Sequence, residues 1–413
     1  MRKKYKIIIC LLCLIIFANI VSCNKNQVVN KDKKLNVYVD IKDKHSLNII
    51  KFLLDEYKKE NADVNVNITN AIGGDVLKDV SKGTSGDIVF TSRNKMIELQ
   101  NKGFLSDLSS YYDKYTIKER YYNIMTSYGR YSDKYYGIGI MPYTIEILYN
   151  KEVLDKCKIN EPLRIQDVEN IAKKLNQDSI KVPVILTDDL DVNNALASLI
   201  ISNKKNIYNV DNIYNSSAAS YKEKKEFQNM FDSINNLYKK GIINKNIFEI
   251  GNENTLKKLS NSDIPVAVSI SYYSKEINDE NIGIVQDYSG IGSFKGNVPV
   301  IINALLCIPV NNENGDETNE FIKFVYSDET QKKLLDNGFI TGNKKVNEEL
   351  KDNFKIMEKH LEESNENSIL FIYNLPDKFR VDISSKIDSI LTGKYSGKEW
   401  EIIIEDLFKY GGK

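Results

Sequence analysis

Between residues 35 and 103 the hydrophobic pattern changes period repeatedly, and this constrains the fold more than any other feature of the chain. Residues 35–40 read as a short strand. Behind Ser46, which can cap a helix, Leu47, Ile50, Leu53, Leu54 and Tyr57 recur at helical spacing. Val64, Val66 and Ile68 then alternate with Asn65 and Asn67, the period of a half-buried strand. A short helical stretch at 76–80, a buried strand at 87–91 after Gly83 and Gly86, and a helix at 94–101 ended by Gly103 complete the series. Strand, helix, strand, helix, strand predicts an open α/β sheet with parallel strands. Such sheets bind ligands in the crevice beyond the carboxyl ends of their strands. Asp40, Thr91 and Ser92 stand at those ends and are the first candidate ligand contacts.

The rest of the chain continues the α/β pattern. Residues 135–150 read as extended, and helices are expected at 165–175, 190–203 and 222–240. Strands are expected at 264–270 and 282–286, a glycine-rich loop at 290–296, and an apolar extended run at 298–310. Helical pattern returns at 317–337 and 383–391, and a last helix is expected at 398–410. At 413 residues the chain is too long for one compact core, which predicts two domains or more. The 57 basic and 57 acidic residues give no basic stripe for nucleic acid. With His45 and His360 as the only histidines, a metal centre or catalytic triad built on histidine is not expected, nor is any cofactor.

The first segment reads as an address. Residues 1–6 are basic and 7–21 almost wholly apolar, the plan of a secretory signal. Fifteen apolar residues fall short of the ~20 that a helix needs to cross a bilayer. Ile20-Val21-Ser22-Cys23 resembles the bacterial lipobox, in which the signal is removed before the cysteine and the cysteine carries lipid. The expectation is a signal peptide at 1–22, Cys23 as the lipid attachment site, and a polar tether over 23–34. Loss of 1–22 removes four basic residues and no acid, leaving 53 basic against 57 acidic side chains. Of the later cysteines, Cys157 and Cys307 read as free buried thiols, with a single disulfide as the alternative.

Several motifs in order resemble the extracellular solute-binding proteins of ABC importers, specifically the carbohydrate-type group. Gly86-Asp87-Ile88-Val89-Phe90 is similar to that family's Gly-x-Pro-Asp-hydrophobic strand, without the proline. Leu99, Gly103, Leu105, Asp107 and Leu108 follow the family's next segment. Asp133-Lys134-Tyr135-Tyr136-Gly137-Ile138 and Leu148-Tyr149-Asn150-Lys151 resemble its Asp-Gly-Lys-x-Tyr-Gly and Tyr-Tyr-Asn-Lys pair. Pro265-Val266-Ala267-Val268-Ser269 resembles the strand that precedes a ligand-contacting aromatic. Phe321-Ile322-Lys323-Phe324-Val325, Ser327-Asp328-Glu329-Thr330-Gln331 and Leu391-Thr392-Gly393 match later helices. The tryptophans common in the family's first strand and pocket are replaced by Tyr38 and Tyr272.

The resemblance implies a two-lobed periplasmic-binding-protein-like type II fold with the ligand captured between lobes. It places lobe I at 35–142 and 288–337 and lobe II at 143–287 and 338–413, with crossings near 142–144, 285–288 and 337–341. It implies a monomer, held outside the cytoplasm on a membrane by its lipid, that delivers a small polar ligand such as a sugar to ABC permease subunits. Sugar rings present C–H faces that stack on aromatics and hydroxyls that need paired donors and acceptors. Tyr136, Tyr143, Glu146, Tyr272 and Tyr273 therefore join Asp40, Thr91 and Ser92 as candidate contacts. Tyr136 and Tyr149 also suit a core, and Asp40 and Glu146 suit a solvated or ion-paired carboxylate. Tyr272-Tyr273 superficially suits ferric ion, but no histidine or carboxylate cluster accompanies it. Other readings are a ligand-sensing or adhesive surface lipoprotein and a surface glycoside hydrolase using two carboxylates. No catalytic residue is assigned, because hydrolase, zinc-protease and phosphate-loop motifs are lacking.

Overall fold

A computed structural model describes residues 33–410 except 72–73, 202–211, 289–296 and 303. The signal segment, Cys23, most of the tether and all of the glycine-rich loop lie outside the described residues. The first sheet holds β1 (Lys34–Val39), β2 (Asn65–Asn70), β3 (Ile88–Thr91), β6 (Ile138–Gly139) and β13 (Leu305–Cys307). Its order is β2-β1-β3-β13-β6. The first three strands are parallel, as expected, whereas β13 runs antiparallel to both β3 and β6. A two-stranded hairpin, β4 (Arg130–Tyr131) with β5 (Lys134–Tyr135), leads into β6.

The helix Lys44–Glu60 buries Ile49, Ile50, Leu53, Leu54 and Tyr57 on one face. Tyr57 meets the edges of Phe321 and Phe324 from the helix Gly315–Val325, closing one layer over the sheet. The cap of that first helix is Asp43 rather than Ser46, since the Asp43 carboxylate accepts from the Ser46 N–H. An aspartate three residues upstream can therefore take the donor that the serine was expected to serve. Strand β2 is an edge strand, and Ile68 is left exposed where alternation predicts burial.

The second sheet holds β7 (Tyr143–Asn150), β8 (Val182–Ile185), β9 (Phe248–Ile250), β10 (Val266–Ile270) and β11 (Ile282–Ile284), in the order β11-β7-β10-β8-β9. Strand β12 (Val300–Ile301) pairs with the first residues of β7. Helices Ile165–Gln177, Val192–Ile201 and Lys225–Lys239 line this half of the chain, and Lys378–Leu391 and Glu399–Tyr410 pack beside them. Trp400, the chain's one tryptophan, is buried there against Phe227 and Phe379, and its indole N–H donates to the Tyr221 carbonyl.

Two strands of the second sheet escape the sequence reading. In β8, Val182-Pro183-Val184-Ile185, the proline argues against an interior strand. Here Pro183 lies between β9 and β10, and Val184 and Ile185 pair with Val268 and Ser269. In β9, only three residues long, Ile250 faces solvent and blurs the alternation.

The first passage between sheets falls between β6 and β7, near 142–144 as expected, whereas the other two sit later. Because β12 belongs with β7, the second passage between sheets follows Ile301 instead of falling at 285–288. Residues beyond 341 still pack on the first half: Tyr122 N–H donates to the Gly342 carbonyl, and Asn343 donates to Asp328. The third passage thus falls after them rather than at 337–341. Cys157 and Cys307 are both free, but Cys157 is exposed where burial was expected; Cys307 is buried in β13. Among the described residues no helix is long and apolar enough to cross a membrane.

Candidate functional site

The carboxyl ends of β1 and β3 open towards the second lobe. At the first stands Asp40, whose carboxylate accepts from the Thr91 hydroxyl at 3.0 Å. Burial pushes its pKa up, against the Thr91 hydrogen bond and the charges of Lys95 and Lys42. Ser92 caps the helix Arg93–Asn101 through its backbone alone, and its partly exposed hydroxyl makes no cap bond. The three residues expected at strand ends thus lie in one region, with Asp40 and Thr91 in direct contact.

The next turn of chain crosses the seam between lobes. Asp43 Oδ1 pairs with His45 Nδ1 at 2.9 Å, and the other ring nitrogen of His45 lies 2.9 Å from the Tyr273 hydroxyl. The Asp188 N–H donates to Asp43 at 3.1 Å, and the Lys44 N–H donates to Asp188 Oδ2 at 3.0 Å. Burial alone would raise the Asp43 pKa, but hydrogen bonds from His45 and the Ser46 and Asp188 backbones hold it below the ordinary value. Tyr272 receives a hydrogen bond from the Asn48 amide at 3.2 Å and sets its ring against His45 at 4.5 Å. Tyr143 packs edge-on to Tyr272 at 5.7 Å, and its buried hydroxyl has no hydrogen-bond partner. Phe339 tilts over the other side of Tyr272 at 5.2 Å.

A second patch of the seam joins the helix Arg93–Asn101 to residues 371–377. Arg93 Nε donates to Asn374 at 2.9 Å, and Asn94 donates to the Leu375 carbonyl at 2.7 Å and to Asp377 at 2.9 Å. The buried Asn94 Oδ1 and Asn374 Nδ2 are left without partners. Buried polar atoms in that state are uncommon, and these two lie where the helix Arg93–Asn101 meets residues 371–377.

Beside the seam lies a groove of about 810 Å³ at the carboxyl ends of β8 and β9. Asp188, Asp189 and Asp191 line it together with Lys44 and Arg380. Asp191 accepts from the Asn194 amide at 2.6 Å and the Ser384 hydroxyl at 2.9 Å. Arg380 donates to the Asp189 carbonyl and stands 3.8 Å from its carboxylate. Burial nevertheless pushes the Asp189 pKa up, with the Arg380 charge opposing.

Two expected contacts lie elsewhere. Glu146 is fully buried on β7 and bound to His360 Nδ1 at 2.9 Å, so its carboxylate is consumed within the second lobe. Strand alternation decides this: Ile145 and Ile147 line the cavity under the helices, and Glu146 points the other way, to the helix Asp352–Glu363. Tyr136 is buried in the hydrophobic core next to β6. Sequence reading missed Asp43, His45, Asp188, Asp189, Asp191 and Arg380. The strand-end rule would have flagged the aspartates had β8 been recognised. Tyr272 and Tyr273 turn their hydroxyls to different partners, Asn48 and His45, which does not suit shared metal ligation. Among the described residues no group of three or more histidines, cysteines or carboxylates is placed to hold a metal.

A family model described as bacterial extracellular solute-binding protein matches residues 53–360. No curated protein sequence matches the chain. Among solved structures, the sugar-binding protein MalE from Xanthomonas citri has a TM-score of 0.69 at 12% identity, covering 91% of this chain and 97% of its own. The GacH receptor of Streptomyces glaucescens, solved unliganded and with acarbose, scores 0.63 at 14% identity, covering 92% and 98%. An extracellular solute-binding protein from Staphylococcus aureus in complex with maltose scores 0.62 at 15% identity, with coverage of 92% and 98%. At these identities the likeness establishes a shared two-lobed fold.

Proposed function

The chain belongs to the bacterial extracellular solute-binding proteins, and on that premise we propose that it captures a sugar or short oligosaccharide between its lobes for an ABC importer. The observation that carries the reading is the seam. Asp40, Thr91 and Asn94 from the first lobe and Tyr143, Tyr272, Asp188 and Asn374 from the rest of the chain combine hydroxyl-binding groups with aromatic faces. Aromatic walls with a few convergent polar groups suit a sugar ring better than a long apolar ligand. Structural neighbours described with maltose and with acarbose lend support.

The lobes then comprise about 35–142 and 302–347 against 143–301 and 348–413, in keeping with the later crossings described above. A ligand touching both lobes stabilises the closed arrangement, and only that difference drives closure. The protein works as a monomer tethered through lipid on Cys23 outside the cytoplasm, and it binds its ligand without turning it over.

The test is a thermal-shift and calorimetric screen of gluco-, chito- and xylo-oligosaccharides from one to four units. A binder at 100 times its Kd adds about 2.7 kcal/mol of stability. Tyr272→Ala is expected to weaken the best binder about tenfold or more, given the area that an aromatic buries. A screen with no shift for any sugar would remove the carbohydrate reading, and release of new reducing ends from the best binder would replace capture with hydrolysis.

A further inference from the structure

Ile250 and Val381 are the two most exposed large hydrophobic side chains among the described residues, at 91% and 76%. They come from distant parts of the chain, the last residue of β9 and the first turn of the helix Lys378–Leu391. Both line the groove together with Asp188, Asp189 and Asp191. We propose that Ile250 and Val381 form an aliphatic ledge that receives the C–H face of a saccharide ring, making this groove a ligand subsite beside the tyrosine-lined seam. The inference rests on the sugar reading given above.

Single exposed aliphatics are ordinary, but two from remote segments that border the same groove need a cause. Water gains nothing from them there, while a ring with one apolar face and a hydroxyl rim would cover them and meet the polar residues of the groove. Those residues are already oriented: Asp191 is held by Asn194 and Ser384, and Arg380 is held beside Asp189. No tryptophan is available for stacking, because Trp400 is enclosed among Tyr221, Phe227 and Phe379. The groove also borders His45 and Tyr273, so a ligand lying in it is continuous with the seam. Its volume of about 810 Å³ fits a chain of more than one ring.

The experiment is calorimetry of the tri- and tetrasaccharides from the screen with Ile250→Ser, Val381→Ser, Ile250→Leu and Val310→Ser. Val310, 61% exposed but outside the groove, controls for loss of any exposed aliphatic. Ile250→Ser and Val381→Ser are each expected to weaken the best binder about five- to tenfold, from the aliphatic area a ring would cover. Ile250→Leu should retain affinity, and Val310→Ser should match the parent. Melting temperatures should stay put in all four, since each side chain is exposed. Affinities within twofold of the parent for both serine variants would overturn the ledge while leaving sugar capture intact. An equal loss in Val310→Ser would overturn it as well. Failure of the parent to bind any sugar would overturn the sugar reading, and the ledge with it.

Discussion

The chain's two histidines lie fully inside hydrogen-bonded pairs, and each fixes a different scale of structure. His360 is bound to Glu146, and removing one partner from a buried ion pair leaves the other charge uncompensated. Glu146→Leu is therefore expected to destabilise the fold by about 3–5 kcal/mol, read by urea denaturation. Burial pulls the His360 pKa down, but the Glu146 carboxylate and the Gln286 carbonyl outweigh it and the net direction is up. The folded protein thus holds a proton that the unfolded chain releases near its ordinary value of ~6.5. The stabilisation is complete below that value and is lost as pH rises through the folded pKa. Parent protein should lose stability over that rise by an amount that His360→Gln does not lose. Equal pH slopes for the two proteins would show that His360 is neutral when folded.

At the scale of elements, the second sheet is not fully packed against its helices. A cavity of about 140 Å³ lies between Ile145, Ile147, Val182, Val184, Val266 and Val268 and the helices Ile165–Gln177 and Val192–Ile201. Native interiors are close-packed, so the apolar side chains that line a partly open cleft of this size lack dispersion partners on the side that faces it. Ala172→Leu places a branched side chain into it from the first helix and is expected to stabilise by about 1 kcal/mol, raising the urea midpoint. A lower midpoint would mean that the space cannot take three more carbon atoms without strain. The elements also show what could be read early. The alternation at 35–103 predicted β1, β3 and the helices after them, because those segments carry their period locally. Strand β8 could not be read because Pro183 contradicts it, and β9 because three residues establish no period. Missing β8 hid the aspartates that follow it. The candidate site was therefore legible on the first-lobe side and at Tyr143, Tyr272 and Tyr273, and largely blank on the second-lobe side.

For the whole molecule, closure is an equilibrium, and the seam contacts of Asp43, Lys44, His45 and Asn48 with Asp188, Tyr272 and Tyr273 contribute to it without ligand. His45→Ala removes the bond to Tyr273 and should favour the open form. By small-angle scattering, the ligand-free variant is expected to have a larger radius of gyration than ligand-free parent, the two converging at saturating sugar. One lost hydrogen bond, about 1 kcal/mol, corresponds to roughly fivefold weaker apparent affinity. Identical radii without ligand would remove His45 from the closure equilibrium. Because the same contacts join residues more than 140 positions apart, no local pattern announces them.

The sequence by itself determined that the chain is α/β and that polar residues follow its first and third strands, and it led to the expectation that any ring stacking falls mostly to tyrosine or phenylalanine. Those properties follow from local period and residue type. Only the tertiary structure decided that Glu146 serves His360, that Asp43 rather than Ser46 caps the first helix, and that Asp188, Asp189 and Asp191 line the groove beside the seam. A carboxylate's role is set by what lies within about 3 Å of it, and those neighbours come from remote parts of the chain.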